Sequence, residues 1–413
     1  METPSQELFK RIRLARETVQ AWLADAAARV DPVKQNSPGE LLFRRKCFNE
    51  LALYLMWQER LPHRQLESIG KIRHLVAAGI NDDYVSMALR RPERLLMYSC
   101  ALGYAVHSGL LDQRQVSVVR QALSGPYAWS LDSTVFRQLD LVLGCHYAAV
   151  APPLDPADLF KVSALALPPS PIYGDRDAFY AVTHAAFYQF LLPDCAGATH
   201  PGLALSVKGA LCRALACNDL DLGLELIMVQ LIHGIEPGAE SFILLDQLLT
   251  ELLTQGCTVG RKRSIDVAAF LAVCPEEAEW AEKFHAMLVA GLALLLLEEF
   301  GSAAWRDSAA REREGAMAMG SCLSALHQYH LVSGLAHLNG LDAQVPLDAG
   351  LMAAVAAFVR LNQRRDGHFG HLVDEMHKMS TSNAQIDMRA VLAPVDLACE
   401  TFLRRYQEHG HGA

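Results

Sequence analysis

The sequence predicts an all-α protein, and three observations carry that prediction. Apolar residues recur every three or four positions almost throughout, as at Leu51, Tyr54 and Leu55 or at Leu245, Leu248, Leu249 and Leu252. No segment alternates apolar and polar residues in the two-residue period of a half-buried strand. Short polar or Pro/Gly breaks fall at 36–39, 79–82, 124–127, 152–156, 168–174, 193–202, 235–239, 256–262, 340–347 and 364–370. They divide the chain into about a dozen to fifteen helices of ordinary length joined by short loops.

Taken in order, Met1 to Val30 reads as an amphipathic helix carrying Lys10, Arg11, Arg13 and Arg16. It lacks the apolar centre and small-residue cleavage site of a secretion signal, so a cytoplasmic location is expected. Helical hairpins then fill residues 1–150. Residues 151–173 hold six prolines around a short helical patch and form a Pro-rich connection. Residues 174–413 form a second helical region with the candidate site, expected to pack with the first as one continuous body. The longest apolar run, Ala286 to Leu297, is too short for a membrane span of about 20 residues and reads as a buried helix.

Composition narrows the function. The chain has 413 residues, 51% apolar and 20% charged, with 37 Lys+Arg against 46 Asp+Glu and a formal charge of −9. Such a chain can bury a large core, which excludes a disordered tail, a collagen-like rod and a small disulfide scaffold. Nucleic-acid binding is not expected, because phosphate neutralisation needs clustered Lys/Arg. The ten cysteines, among them Cys47, Cys100, Cys145, Cys212, Cys322 and Cys399 within predicted helices, show no paired framework and suit a reducing compartment. Cys212 and Cys217 lack the CxxC spacing of a zinc site. No cofactor, metal or membrane is expected; the expected partner is a small-molecule substrate, free or carrier-bound.

The predicted hairpins close into an α/α toroid or stack into an open α-solenoid. The segment Gln363-Arg-Arg-Asp366-Gly367-His368-Phe369-Gly370 resembles the Gln-x-x-Asp-Gly-x-Phe/Trp-Gly turn of α/α-toroid proteins such as the terpenoid cyclases and protein prenyltransferase β-subunits. The resemblance spans eight residues, occurs once, and implies a ring without implying any chemistry. An ordinary Asp-Gly turn closing a helix accounts for the same residues.

The segment Tyr173 to Leu191 is the most informative for chemistry. On a helix, Asp177, Tyr180, His184 and Tyr188 share one narrow face, and Phe179, Val182, Ala186 and Phe190 lie opposite. Solvent-facing helices favour Lys, Glu and Arg, and this row has none. Tyr and His suit a semi-polar cavity, where hydroxyl and imidazole groups orient a substrate. His184 is the economical general acid/base because its ordinary pKa lies nearest neutrality. A core helix whose Tyr and His bond backbone carbonyls fits the same pattern. The run Tyr180, Thr183, His184, Phe187, Tyr188 also resembles the Tyr-x-x-Thr-His-x-x-Phe-Tyr signature of an uncharacterised bacterial helical family often found beside natural-product genes. That signature continues into an Asp-Leu-rich helix, here Asp219-Leu-Asp221-Leu-Gly-Leu-Glu225. The usual acid just after the Tyr is replaced by Phe190-Leu191, with Asp194 the next acid. The resemblance brings no settled activity.

Two further clusters qualify. Asp221 and Glu225, four apart, share a helix face, where like charges repel modestly. Either they favour the helix N-terminus, with Asn218 or Asp219 as cap, or they face the same cavity as His184 to bind substrate. His327, His330 and His337 read as one stripe with open space at Gly334, a polar seam or a metal-holding row, with Asp366, His368, His371 and Asp374 able to extend it. Of these, His330 and His337 join Thr183, Asp221 and Glu225 as substrate-binding candidates.

Absent motifs narrow the chemistry. Asp82-Asp83-Tyr-Val-Ser86 lacks the last acid of the Asp-Asp-x-x-Asp magnesium motif, and Asp219-Leu-Asp221-Leu222 lacks the final acid of the Asp-x-Asp-Asp proton donor. There is no Walker loop, dinucleotide fingerprint or Gly-x-Ser-x-Gly elbow. Two functions fit what is left. The first is a biosynthetic enzyme performing elimination, isomerisation or cyclisation of a small metabolite in a central cavity, with His184 moving the proton and Tyr180, Tyr188 and Asp177 assisting. The second is a helical binding or scaffold protein offering a groove to a peptide, carrier protein or subunit. A closed ring with an internal pocket favours the first, and an open superhelix favours the second.

Overall fold

The computed structural model describes residues 4–33, 38–61, 67–90, 92–129, 133–192, 194, 199–259, 265–301, 310–363 and 388–408. Among these residues the chain is α-helical with short 3-10 turns and no strand. The first part comprises α1 (Pro4–Ala27), α2 (Pro38–Arg60), α3 (Glu67–Gly79), α4 (Asp82–Leu89), α5 (Ser99–His107), α6 (Gln113–Ser124), α7 (Pro126–Trp129) and α8 (Val135–Tyr147). The proline-rich connection carries α9 (Pro156–Lys161). Beyond it come α10 (Arg176–Leu191), α11 (Leu203–Cys217), α12 (Leu220–His233), α13 (Ala239–Gln255), α14 (Ile265–Leu271) and α15 (Ala278–Phe300). The C-terminal part is α16 (Ala310–His327), α17 (Leu331–Asn339), α18 (Ala349–Leu361) and α19 (Met388–Glu408).

Local chemistry sets many of these boundaries. Asn81, Asp112, Asp155, Asp175, Asp219 and Asp348 each accept a hydrogen bond from a backbone N–H of the helix they start, which satisfies a donor with no partner inside the helix. Asp112 and Gln115 complete a reciprocal capping box. Asn218 ends α11 in the left-handed region at φ 51°, and Asp219 immediately starts α12. The two helices are therefore joined with almost no loop.

Packing then assembles the helices. Gly103 on α5 and Gly144 on α8 face each other so closely that a Cβ on Gly103 would lie 2.7 Å from the Gly144 carbonyl oxygen. Only glycine permits that approach. α1 lies along α15 and also meets α13; Arg16 reaches Glu298 at 2.8 Å and Arg11 reaches Asp246 at 3.0 Å. One continuous apolar cluster runs from Ile12 to Ala316, with residues on both sides of the proline-rich connection. A second cluster, built from α16 to α19 with Ile172 and Cys212, occupies the C-terminal part.

The run Ala286 to Leu297 is buried throughout within α15. The stretch Pro275–Phe300 is long and apolar enough to cross a membrane by length and composition, but its partners here are other helices. Most cysteines in the described residues are buried and none forms a disulfide; burial pushes the thiols of Cys47, Cys100, Cys145, Cys212, Cys322 and Cys399 up, as expected of thiols acting as small apolar groups. Apart from Gln363, the Asp-Gly turn at 363–370 lies outside the described residues, as do Asp366, His368, His371 and Asp374.

For the site, one circuit of contacts matters most. α10 packs against α12, α12 against α15, α15 against α2, and α2 back against α10, with α8 seated on α10. Trp57 of α2 stacks on Phe190 at 4.8 Å and meets Phe187 edge-on at 5.5 Å, which fixes α2 against α10. Between these helices the interior is polar.

Candidate functional site

α10 is buried on most of its circumference: Phe179, Val182, Thr183, Ala185, Ala186, Phe187, Tyr188 and Leu191 are all enclosed. Its first residue, Arg176, grips Asp219 with two hydrogen bonds of 2.7 and 3.0 Å and reaches Asp221 at 3.3 Å. The guanidinium also lies over the Tyr180 ring, 4.5 Å from its centroid. Asp219 therefore caps α12 and anchors α10 with one carboxylate. One turn along, the Tyr180 hydroxyl donates to Asp221 Oδ2, and Thr183 Oγ1 donates to Glu225 Oε2 at 2.5 Å. Burial and the neighbouring Asp221 push the Tyr180 phenol up, which keeps the proton it donates.

The carboxylates of Asp221 and Glu225 turn toward α15. His285 Nε2 lies 3.5 Å from Asp221 Oδ1 and 3.7 Å from Glu225 Oε1, and Nδ1 lies 3.4 Å from Glu50 Oε1 of α2. One imidazole thus joins three helices. Burial opposes charge on His285, but Asp221 and Glu50 outweigh it and raise its pKa well above the ordinary value. In return, although burial works the other way, His285 lowers the pKa of Glu50, helped by Lys46 and by His184. Both imidazoles therefore lie within the field of Glu50. Asp221 is 10% exposed and Glu225 2%, whereas the His285 ring retains 40% of its surface, so the constellation is enclosed on the acid side and open along the ring.

At the far end of the row, the Tyr188 hydroxyl donates to Asp140 Oδ1 of α8, whose other oxygen pairs with Arg137 at 3.1 Å. Between the two acidic groups sits His184, with Phe136 at 5.2 Å and the rings of Phe187 and Tyr188 beside it. His184 Nδ1 is 2.8 Å from the carbonyl of Tyr180, one turn back. That acceptor places the proton on Nδ1 and leaves Nε2 as the basic nitrogen. Five carboxyl groups, Glu50, Asp140, Asp219, Asp221 and Glu225, meet three fixed cations here, Arg137, Arg176 and, beside Glu50, Lys46. Acids outnumber fixed cations, so a further positive charge is favoured there. The atoms of Asp221, Glu225 and His285 that could bind a metal lie within 4.8 Å of one another.

A family described as a domain of unknown function, DUF6895, matches residues 17–295. The chain belongs to the DUF6895 family. No curated protein and no solved structure matches it. The DUF6895 span holds every member of the polar interior, from Glu50 to His285, and ends before His327.

Within the DUF6895 span, the structure brings Tyr180, Thr183, His184, Tyr188, Asp221 and Glu225 to one interior. Asp177 does not join them: it is exposed in the first turn of α10, because the row curves with the helix and its N-terminal end leaves the interior. Asp219 is the cap of α12 and Asp221 lies in its first turn, and both Asp221 and Glu225 are buried.

The three-histidine stripe needs correction. α16 ends at His327, the chain reverses through Tyr329 at φ 59°, and His330 is the residue before α17. His327 bonds the Ile172 carbonyl at 2.9 Å, whereas His330 and His337 are exposed. Nor is there open space at Gly334, where a Cβ would meet Leu326 at 3.2 Å and Ala325 at 3.3 Å. The glycine serves close packing of α17 on α16.

Glu50, Asp140, Arg176 and His285 were not anticipated. A signal existed for two of them. Phe43, Cys47, Glu50, Tyr54 and Trp57 follow the four-three spacing of a buried stripe, as do Ala281, His285, Leu288 and Leu292. A charged residue inside such a stripe needs a buried partner. A cleft of about 460 Å³ lies elsewhere, between α11, α13 and α16, and includes Lys208, Glu240 and Asp348. It shares no residue with the row on α10, so volume and chemistry point to different places. The cleft has an ion pair of its own, Lys208 with Asp348 at 3.2 Å, and burial pushes the Glu240 carboxyl up, but no histidine lines it; the row on α10 is preferred for its imidazole.

Proposed function

We propose that this chain is an enzyme that moves a proton on a small metabolite without redox chemistry, by elimination, isomerisation or cyclisation, inside the circuit of α2, α8, α10, α12 and α15. The supporting observation is His184: its Nδ1 is committed to the Tyr180 carbonyl at 2.8 Å, so Nε2 is held as a base beside an interior rich in buried carboxylates. His184 takes the proton from substrate. The ionic cluster of Asp221, Glu225 and His285 steadies the charge that develops, and Tyr180 and Tyr188, whose hydroxyls already serve Asp221 and Asp140, are positioning residues rather than acids. A ring would suit an internal reaction chamber, and the contacts of α1 with α13 and α15 are compatible with one.

The test is incubation of the purified full chain, in deuterated water, with the small-molecule extract of its source cells, followed by mass spectrometry. Wild type is expected to yield a product carrying solvent deuterium, and His184→Gln is expected to yield none while unfolding at an unchanged temperature. If no compound changes in mass, isomer composition or deuterium content, the catalytic reading is wrong. Loss of folding in His184→Gln makes the residue a core histidine and removes it from the mechanism.

A further inference from the structure

The acid side of this interior has a buried oxygen that accepts no hydrogen bond among the described residues and meets the His285 ring only at ion-pair distance, 3.5 Å. This is Asp221 Oδ1, whose companion Oδ2 is served by Tyr180 and Arg176. It points at the place where Glu225 Oε1 and His285 Nε2 also converge. A buried, unsatisfied carboxylate oxygen is costly, and a cation is the natural means of satisfying it.

We propose that Asp221, Glu225 and His285 bind a divalent zinc-type cation through one nitrogen and two carboxylate oxygens. Two of the three edges agree with that ion, and the third, between the two carboxylate oxygens, is within 4.8 Å. Ligands at about 2.1 Å from a tetrahedral zinc are separated by roughly 3.4 Å, and the two edges that start at His285 Nε2 measure 3.5 and 3.7 Å. The helices supply the rigidity. Asp221 and Glu225 are one turn apart on α12, and His285 faces them from α15, the arrangement by which helical bundles hold metals between facing helices.

The surroundings are also those of a metal site. Glu50 lies 3.4 Å from His285 Nδ1, on the ring nitrogen away from the acids. A carboxylate in that position orients a metal-binding imidazole and strengthens Nε2 as a donor. Thr183 holds the second oxygen of Glu225 at 2.5 Å, and Tyr180 with Arg176 holds the second oxygen of Asp221, so each carboxylate turns its other oxygen toward His285 Nε2, where the ion would sit. Three protein ligands leave a fourth position open, as in catalytic rather than structural zinc sites. On binding, Nε2 releases its proton to solvent and the ion takes over the positive charge that Asp221 and Glu225 face. This goes beyond the proton-transfer reading and does not depend on it, because metal uptake is measured without any substrate.

The experiment uses the full chain, stripped with a chelator and dialysed, then titrated with Zn²⁺ by calorimetry and separately with Co²⁺ by visible absorption. The expected result is one Zn²⁺ per chain and the intense visible bands of tetrahedral Co²⁺. Glu50→Gln should weaken binding by about 10–100-fold, and Asp221→Asn or His285→Gln by more. Absence of Zn²⁺ uptake by wild type overturns the proposal, as does uptake undiminished in both ligand variants, which would place the ion elsewhere. If those variants fail to fold, the wild-type Co²⁺ spectrum decides: weak octahedral bands, or none, overturn the site.

Discussion

The interior between α2, α8, α10, α12 and α15 and the C-terminal cluster of α16 to α19 are both enclosed, yet they are filled with opposite chemistry. The first buries Asp140, Asp219, Asp221 and Glu225 around Tyr180, His184 and His285. The second is filled by residues such as Leu323, Leu335, Val355 and Phe402, and among the described residues no charged side chain from α16 onward is buried. Apolar packing of the second kind is enough to hold helices together. Placing charges in an interior costs free energy that apolar residues of the same shape would not, so the first region carries something besides stability. The DUF6895 match covers the first region and stops short of the second.

Substitutions in the two regions should separate their roles, and the greatest change is expected in turnover. His184→Gln should lower the rate by about 100-fold or more, the usual contribution of a positioned general base, with little change in the unfolding midpoint. Leu335→Ala should do the reverse. Leu335 is fully enclosed, and its truncation should cost about 2–5 kcal/mol in urea unfolding while leaving turnover and Zn²⁺ uptake unchanged. A Leu335→Ala variant with impaired Zn²⁺ binding would show the two regions to be coupled.

Arg176→Met comes next. It removes the cation shared by Asp219 and Asp221, and because the side chain is 32% exposed the loss should be about 2 kcal/mol, below the figure for a fully buried pair.

A pH series separates the regions more finely. In the metal-free chain the folded-state pKa of His285 is raised, with Asp221, Glu225 and Glu50 around it and Lys46, His184, Arg137 and Arg176 nearby. The stability it contributes is fully present below its unfolded pKa of about 6.5 and is lost as pH rises through the raised folded value. Glu50 has the opposite sign: its pKa is lowered, so its contribution is present above the ordinary carboxylate value and is lost as pH falls through the depressed one. Urea midpoints of the wild type should therefore fall on both sides, and His285→Gln should flatten the alkaline limb. The smallest effect is expected at His330→Ala and His337→Ala, both exposed, where stability should shift by less than about 0.5 kcal/mol and Zn²⁺ uptake not at all.

Periodicity made the fold class legible because helix after helix repeats the same three- and four-residue spacing. In the row Asp177, Tyr180, His184 and Tyr188 the last three were legible for a related reason, since their residue types are wrong for a solvent-facing helix; Asp177, of a type equally at home in a first turn, is exposed, and Thr183 was marked only by the family-like run. Asp221 and Glu225 could be paired with that row only as one of two readings, because a first-turn acid and a buried acid look alike in sequence. Glu50 and His285 each stand as a charged residue in a buried apolar stripe, but they lie 235 positions apart in sequence, and nothing local names the partner. The three histidines misled for the opposite reason. Their spacing assumes one unbroken helix, and the left-handed turn at Tyr329 interrupts it.

The central claim is that the charged interior serves function at the expense of stability, and replacing its acids and imidazole together with neutral shapes tests it most directly. The measurement is the thermal unfolding midpoint of Glu50→Met/Asp221→Leu/Glu225→Met/His285→Leu against wild type, both metal-free; Arg176 keeps its two hydrogen bonds to Asp219 in this variant. The expected midpoint is equal to or above that of wild type, since replacement of a whole buried ionic group by apolar residues of similar volume is often neutral or stabilising by about 1–4 kcal/mol, together with complete loss of Zn²⁺ uptake and turnover. A variant that unfolds several kcal/mol more easily would contradict this and make the constellation a structural element of the helical core.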